Sequence, residues 1–284
     1  MFRKKAQQKK IREEIFKEME SSKTAIGQLV DDYQEYEIFN AEKIGREVNF
    51  NYPRVYLYML CNYGEDICQL VNAKRYGSLY VLLNNFLECY GMTKELVEGY
   101  FNKETDYDGM LRKYYASTLK QRMDECDGFD PEYALSEADE EKFYNIRFEQ
   151  MEKIVGEFFK EYKDKLHNED GDYQLHGVVD EICSNAGLPL DREDKALRAL
   201  ASNDEFTEEE MKKAVLLYVS ARSASLNNIQ TMLTRVLGVF EGRAALMINK
   251  NEGISPQVLS IVEKCLRDVI NTAKEGFECL PDIE

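Results

Sequence analysis

Apolar side chains recur along this chain mostly at intervals of three and four residues, and rarely at intervals of two. That spacing matches the α-helix, in which residues i, i+3 and i+4 share one face. Only five prolines occur in 284 residues, so few positions forbid a long helix. The pattern predicts an all-α protein, a multi-helix bundle with two helical lobes.

The first half of the chain predicts a long amphipathic helix followed by a bundle. Residues 67–90 are the most apolar stretch and wrap most of a helical circumference, so we expect them at the centre of that bundle. Proline suits a first helical turn, which makes Pro53 a helix start. The predicted segments are residues 5–37, a helix starting at Pro53, residues 67–90 with a break near Gly77, a helix starting at Thr93, and residues 107–126.

The second half predicts a long helix and then a second helical lobe. Ser136 followed by Asp139 resembles a capping box, and the helix it begins ends near Leu166. Residues 167–172 are polar and include a glycine, so we place the lobe boundary there. The predicted domains are an amino-terminal helix at 1–50, a first lobe at 51–168 and a second lobe at 169–284. The later helices are predicted at 173–185, 191–201, 207–221, 225–248 and 255–277.

Composition and charge narrow the class of protein. Hydrophobic residues make up 44% of the chain, as in folded domains. The 37 basic and 53 acidic residues give a formal charge of −16, which disfavours binding to nucleic acid. No apolar run reaches the roughly 18 residues of a membrane span, and the basic start lacks the apolar core of a signal peptide, so we expect a cytoplasmic protein. Its seven scattered cysteines fit reduced thiols.

The sequence contains no recognisable catalytic or metal-binding motif. Neither of the two histidines, His167 and His176, follows a glutamate by three residues, as a di-iron bundle requires. Residues 104–109 resemble the opening of a calcium-binding loop, but the position that must supply a glutamate is Tyr115. No cysteine or serine has a histidine in a triad context, and no glycine-rich phosphate loop occurs. We therefore expect no metal, no cofactor and, on balance, no enzyme.

One carboxylate cluster keeps an enzymatic alternative open. Asp31, Asp32 and Glu35 superficially resemble the clusters with which helical transferases and lyases hold Mg²⁺ against a phosphorylated substrate. Such a site needs a second cluster, and the candidates at 139–141 and 208–210 lie at helix starts, where acidic residues simply favour the helix dipole.

Two charged surfaces are candidates for binding. A basic arm at the start of the first helix could contact a membrane surface or nucleic acid. It consists of Arg3, Lys4, Lys5, Lys9, Lys10 and Arg12. An acidic stretch in the middle of the chain could attract a basic partner. Its carboxylates are Asp124, Asp127, Asp130, Glu132, Asp139, Glu140 and Glu141.

The absence of catalytic motifs and the negative charge together favour a binding protein. Our leading hypothesis is a non-enzymatic acidic helical protein that binds or regulates a protein partner, including one that is basic and associated with nucleic acid. Many of its 18 tyrosines lie in the first third of the chain and could belong to an interface. The apolar stripes of the helices are broad enough to be buried in a homodimer as well, so the sequence is also compatible with a homodimer. The alternatives are the Mg²⁺-dependent transferase or lyase and binding through the basic arm.

Overall fold

The computed structural model of the chain describes residues 2–129, 136–167, 174–188, 190–225, 237–240, 243–246 and 255–280. In this part the protein is dominated by α-helix, which confirms the all-α multi-helix prediction. The elements are α1 (Phe2–Phe39), α2 (Ala41–Arg46), α3 (Asn51–Asn72), α4 (Tyr76–Phe101), α5 (Tyr107–Asp127), α6 (Glu137–Phe158), α7 (Leu175–Ala186), α8 (Arg192–Ala201), α9 (Glu208–Ser225), β1 (Leu237–Phe240), β2 (Arg243–Leu246) and α10 (Ser255–Glu278), with 3₁₀ turns at Val48–Phe50 and Lys160–Lys165.

The chain divides into two compact units, one of them inserted into the other. The discontinuous unit comprises Met1–Lys103 and Arg192–Glu284, and the inserted unit comprises Glu104–Asp191. The boundaries therefore differ from the predicted ones at 50/51 and 168/169. The polar segment that follows Leu166 lies within the inserted unit, where α7 returns to pack against α5. The division into units follows from contacts between helices that are far apart in the sequence, such as those of α10 with α1.

The core of the discontinuous unit is built around α4 and α10. Leu83, Phe86 and Leu87 of α4 are fully buried, as expected for the most apolar stretch of the sequence. The break predicted near Gly77 falls a few residues earlier, where Lys74 adopts a left-handed backbone conformation with φ 55°. The helix start predicted at Thr93 is wrong, because α4 continues through it. The Thr93 hydroxyl is buried and donates to the carbonyl of Cys89 at 2.7 Å, within the helix.

A close approach of α8 to α4 depends on a glycine. A β-carbon at Gly91 would lie 2.6 Å from the backbone nitrogen of Ala196. Such a distance is far inside van der Waals contact, so only glycine permits this spacing. The two helices are thereby held at backbone contact.

The core of the inserted unit is formed by α5, α6 and α7. Asp106 caps α5 by accepting from the backbone nitrogen of Gly109 at 2.9 Å, and Ser136 caps α6 through the nitrogen of Asp139 at 3.2 Å. These are the side chains preferred at a helix start. The start of α6 was predicted correctly. The buried core includes Leu119, Met123, Met151, Val155, Phe159, Val179 and Ile182.

The helix predicted over residues 225–248 is wrong at 237–240 and 243–246, and the rest of that prediction beyond Ser225 lies outside the described residues. Strands β1 and β2 pair antiparallel within this range, with Leu237 opposite Leu246. Only two residues separate the strands in the sequence, and one is Gly242, which is typical of a hairpin connection. Val239 and its aromatic neighbour also favour an extended backbone. An apolar run of this length does not distinguish helix from strand by its spacing alone.

All seven cysteines are free thiols, and only Cys279 is exposed. Burial raises the pKa of Cys61 and of Cys89 to about 12. A neutral thiol is a poor nucleophile, so these cysteines act as small core residues.

Candidate functional site

The predicted acidic stretch lies where α5 ends and α6 begins. The rings of Phe129 and Phe143 stack with centroids 4.2 Å apart, and Arg147 pairs with Glu125 at 3.0 Å. These contacts bring the two helix ends side by side. We define the acidic surface as the carboxylates that these ends carry. It comprises Asp124, Asp127, Asp139, Glu140 and Glu141, whereas the predicted Asp130 and Glu132 lie outside the described residues.

Most of these carboxylates have only exposed, local partners. Asp124 pairs with Lys120 one turn earlier on α5. Asp127 accepts from Nε2 of His176 at 2.9 Å, and both side chains are more than half exposed. Asp139 accepts from the hydroxyl of Ser136 at 2.7 Å within the helix cap. Exposed ion pairs of this kind hold their partners weakly, so the carboxylates stay available to another molecule.

The excess negative charge of the protein is concentrated in the inserted unit. Residues 104–191 contain 23 of the 53 acidic residues and only 10 of the 37 basic residues, a formal charge of −13. The discontinuous unit contains 30 acidic and 27 basic residues, a formal charge of −3. The inserted unit is less than half as long as the rest of the chain, yet it carries most of the net negative charge.

The inserted unit also contains a cleft of about 250 Å³. Its lining comes from the first turns of α5, from the segment after α6 and from the end of α7. The lining residues are Gly109, Arg112, Lys113, Phe159, Tyr162, Ile182, Asn185 and Ala186. Apart from Gly109, which ends the calcium-loop resemblance at 104–109, no residue of this cleft was singled out from the sequence as part of a site. Its members are far apart in the chain and match no motif, so no sequence signal could have found them.

A buried carboxylate forms the first of two polar clusters in the discontinuous unit. Glu37 is 4% exposed and binds Arg54 through both oxygens, at 3.0 and 3.2 Å. The hydroxyls of Tyr33 and Tyr58 also donate to it. Burial, and then the charge of Glu37, raises the pKa of Tyr33. Glu37 continues the α1 stripe four residues after Tyr33, and that spacing could have been read from the sequence.

A second polar cluster joins α4 to α10. Asp268 accepts from Lys94 at 2.8 and 3.0 Å and from the hydroxyl of Tyr90 at 2.6 Å. Asn203 donates to the same hydroxyl at 2.9 Å. Burial opposes the charged form of Lys94, but the hydrogen bonds and charge of Asp268 outweigh it and raise the pKa of that ammonium group. Each side chain in a cluster forms a hydrogen bond or an ion pair with another member of that cluster. Both clusters therefore stabilise the packing within the discontinuous unit.

Several tyrosines of the first third of the chain are buried or pack against the core. Tyr33 and Tyr80 are buried, and Tyr36, Tyr56 and Tyr63 pack against the core. An amphipathic ring with a hydrogen-bonded hydroxyl is common at the edge of a helical core. The structure therefore favours a packing role for these residues.

The carboxylates considered for Mg²⁺ lie on the surface of α1. Asp31, Asp32 and Glu35 are all exposed. Within the described residues, no group of three or more histidine, cysteine, aspartate or glutamate side chains is placed to hold a metal ion. The structure therefore offers no observation in favour of the transferase or lyase alternative.

The basic arm belongs to the first turns of α1. Lys9 and Lys10 are exposed and face Glu13 and Glu14, each at 3.8 Å one turn later. The side chains of Arg3, Lys4, Lys5 and Arg12 lie outside the described residues. Ile11, at 47% exposure, and Phe16, at 61%, are uncovered nearby.

In the described part of the chain, none of the helices has the length and apolar character needed to cross a membrane. Comparison with family models, with curated proteins and with solved structures found no match.

Proposed function

We propose that this protein binds a protein partner, and that the acidic surface of the inserted unit receives a basic face of that partner. The observation that carries the proposal is the unequal charge of the two units, −13 against −3. A strong field of one sign steers a partner of the opposite sign and raises the rate of encounter. A basic protein, including one associated with nucleic acid, is the partner that this field suits.

The exposure of the carboxylates supports the same proposal. Asp124, Asp127 and Glu141 are exposed, and their ion pairs or caps are local to the inserted unit. A partner can compete for them with little disruption of the core. In the discontinuous unit, by contrast, Glu37 and Asp268 are enclosed by their partners.

The test is a salt-dependent binding measurement with a matched control. The probe is a fluorescent peptide rich in lysine and arginine, titrated with the full chain at low and moderate salt. The test variant combines Asp124→Asn, Asp127→Asn, Glu140→Gln and Glu141→Gln. The control variant combines Asp31→Asn, Asp32→Asn, Glu35→Gln and Glu208→Gln, which removes the same number of charges from the discontinuous unit.

We expect the test variant to bind about tenfold more weakly at low salt, since each exposed charge contributes a few tenths of a kcal/mol. The control should stay within about twofold of the parent, and salt should narrow the difference. Equal losses in both variants, or binding that salt does not change, would overturn the proposal. A partner captured from the native cell should then distinguish the two variants in the same way.

A second candidate function rests on the start of α1. The exposed Ile11 and Phe16 lie beside the exposed Lys9 and Lys10, a combination that suits an anionic membrane surface. Deletion of residues 2–12 should then abolish binding to vesicles that contain anionic lipid. An oligonucleotide serves as the comparison probe for nucleic acid. If the full chain binds neither the vesicles nor the oligonucleotide, this candidate function is ruled out.

A further inference from the structure

The cleft of the inserted unit is lined without a single carboxylate. Its lining contains the cations Arg112 and Lys113 and the neutral donors Tyr162 and Asn185, but no acidic side chain. In the unit as a whole, acidic residues outnumber basic ones by 23 to 10. The lining of the cleft is therefore positive within a negative unit, and Glu161, which pairs with Arg112, offsets part of that charge.

The positions of the two cations on α5 explain why they face the same space. Gly109, Arg112 and Lys113 have the spacing i, i+3, i+4 and share one face of the helix. Gly109 leaves room for the cap, because a β-carbon there would lie 2.3 Å from a carboxylate oxygen of Asp106. The first turn of α5 thus stays close to its cap while the next turn presents both cations.

The hydroxyl of Tyr162 has a proton that it can donate to a ligand. The side-chain amide of Asn185 donates to this oxygen at 2.7 Å. An oxygen that accepts from the amide keeps its own proton for another acceptor. Among the described residues we find no acceptor for that proton, so it is available to a bound molecule.

Arg112 retains donors beyond its ion pair. It pairs with Glu161, and the two side chains are 44% and 51% exposed. A guanidinium group has several N–H donors, and an exposed pair occupies only some of them. The guanidinium carbon also lies 5.1 Å from the ring centroid of Phe159, which holds the group over the floor of the cleft.

The floor of the cleft is apolar, so it suits a ligand with an apolar body. Phe159 and Ile182 are 2% and 1% exposed and form it together with Ala186. A volume of about 250 Å³ is just below the usual range of ligand sites, about 300 to 1,000 Å³. The cleft suits a molecule with a few carbon atoms or one ring against the floor and a negative group at the donors.

We propose that this cleft binds a small organic anion, whose carboxylate or phosphate group is held by Arg112, Lys113 and Tyr162 while its apolar body lies on Phe159 and Ile182. The site is distinct from the acidic surface and would take a ligand of opposite charge to the proposed protein partner. Its presence does not depend on the partner hypothesis, because the two sites use different residues.

The test compares three probes on the full chain by nuclear magnetic resonance titration. Benzoate carries a ring and a negative group, benzamide keeps the ring and shape without the charge, and inorganic phosphate has the charge without the ring. We expect benzoate to bind saturably near the millimolar range and to shift amide signals of α5 and α7 around the cleft. Benzamide should bind at least about tenfold more weakly, because it lacks the charge-assisted hydrogen bonds.

Variants separate this site from general charge. Arg112→Gln and Lys113→Gln should each weaken benzoate binding by about tenfold, and Tyr162→Phe by about threefold. Arg122→Gln and Lys120→Gln are the matched controls, since both lie on α5 outside the cleft, and neither should change the affinity. Circular dichroism verifies that each variant is folded.

Three outcomes would overturn the proposal. The first is the absence of any saturable shift up to tens of millimolar benzoate, which is roughly the weakest affinity that such a titration measures. The second is equal binding of benzamide and benzoate. The third is an unchanged benzoate affinity in the folded Arg112→Gln and Lys113→Gln variants.

Discussion

The two units of this protein use charged side chains in opposite ways. The discontinuous unit is nearly neutral, at −3, and encloses Glu37 and the pair of Lys94 and Asp268 among complementary partners. The inserted unit carries −13, and the ion pairs described above lie at its surface. Buried polar groups that are fully paired make a fold specific, whereas exposed charges act on other molecules. The enclosed pairs stabilise the core of the discontinuous unit, whereas the exposed charges of the inserted unit are the ones for which we propose a binding role.

The strongest test of the structural side removes one partner of the buried pair. Asp268→Asn leaves the ammonium group of Lys94, whose side chain is 7% exposed, facing a neutral amide. We expect the free energy of unfolding to fall by about 3 kcal/mol, as for other buried pairs that lose one member. Urea unfolding followed by circular dichroism measures it.

Glu98→Gln is the control for that variant. Glu98 also pairs with Lys94, at 3.1 Å, but its side chain is 51% exposed. Its loss should change the free energy of unfolding by less than about 0.5 kcal/mol. Similar losses in the two variants would contradict an internal role for Asp268.

A pair of glycine substitutions compares packing in the two units. Gly91→Ala forces a methyl group onto the backbone of α8 and should destabilise the protein by about 1 to 3 kcal/mol. Gly156→Ala in α6 meets nothing within 4 Å and should stabilise it by about 0.5 kcal/mol, since alanine is the better helix former. Thermal unfolding of both variants checks the opposite signs. A loss in both would mean that α6 is packed more tightly than described.

The discontinuous unit should also lose stability in acid through Glu210. Hydrogen bonds from Lys264 and from Thr207 lower the pKa of Glu210 to about 2. Because this lies below the unfolded value of about 4.3, the stabilisation is complete above that value and is lost as the pH falls towards 2. The side chain is 39% exposed, so we expect only about 1 kcal/mol.

Glu210→Gln should therefore lower the free energy of unfolding near neutral pH and reduce its change between pH 5 and about pH 2. Glu208→Gln is the control, because Glu208 is 79% exposed and lies one turn from its partner Lys212. Urea unfolding at several pH values provides the measurement. An equal pH dependence in parent and Glu210→Gln would show that this carboxylate contributes nothing.

The smallest expected effect concerns salt. Self-repulsion in the inserted unit should be screened as the ionic strength rises, whereas the nearly neutral unit has little to screen. Amide hydrogen exchange should slow by about twofold in α5 and α7 between low and high salt, with little change in α4 and α10. Equal changes in both units would remove the electrostatic distinction between them.

The sequence predicted helices correctly where the residues that start and end the helix lie next to it in the chain. The predicted helices at 5–37, 107–126 and 255–277 agree closely with α1, α5 and α10. Their stripes, caps and stop signals are contained in neighbouring residues. The helix predicted over 225–248 is wrong at β1 and β2, because the spacing of a short apolar run does not distinguish a helix from a strand.

The sequence did not predict which distant helices pack against one another. The division into units follows from α10 packing with α1, α3 and α4 from the far end of the chain. No local pattern specifies which stripes meet. The acidic surface could be located from composition alone, although its role as a binding surface stays a prediction. The cleft at Arg112 and Asn185 needed the fold, because three distant segments build it.

The insertion of one unit into the other sets an order of events during synthesis. When Asp191 leaves the ribosome, every residue of the inserted unit has been made, but the first 103 residues still lack α8, α9 and α10. Leu259, Val262 and Leu266 of α10 are fully buried, so the apolar faces they cover are open to the cell until the last part of the chain emerges. The first 103 residues therefore cannot complete their core at this stage, whereas the acidic unit is already able to fold. A nascent chain of this protein presents its charged portion before its larger core is sealed.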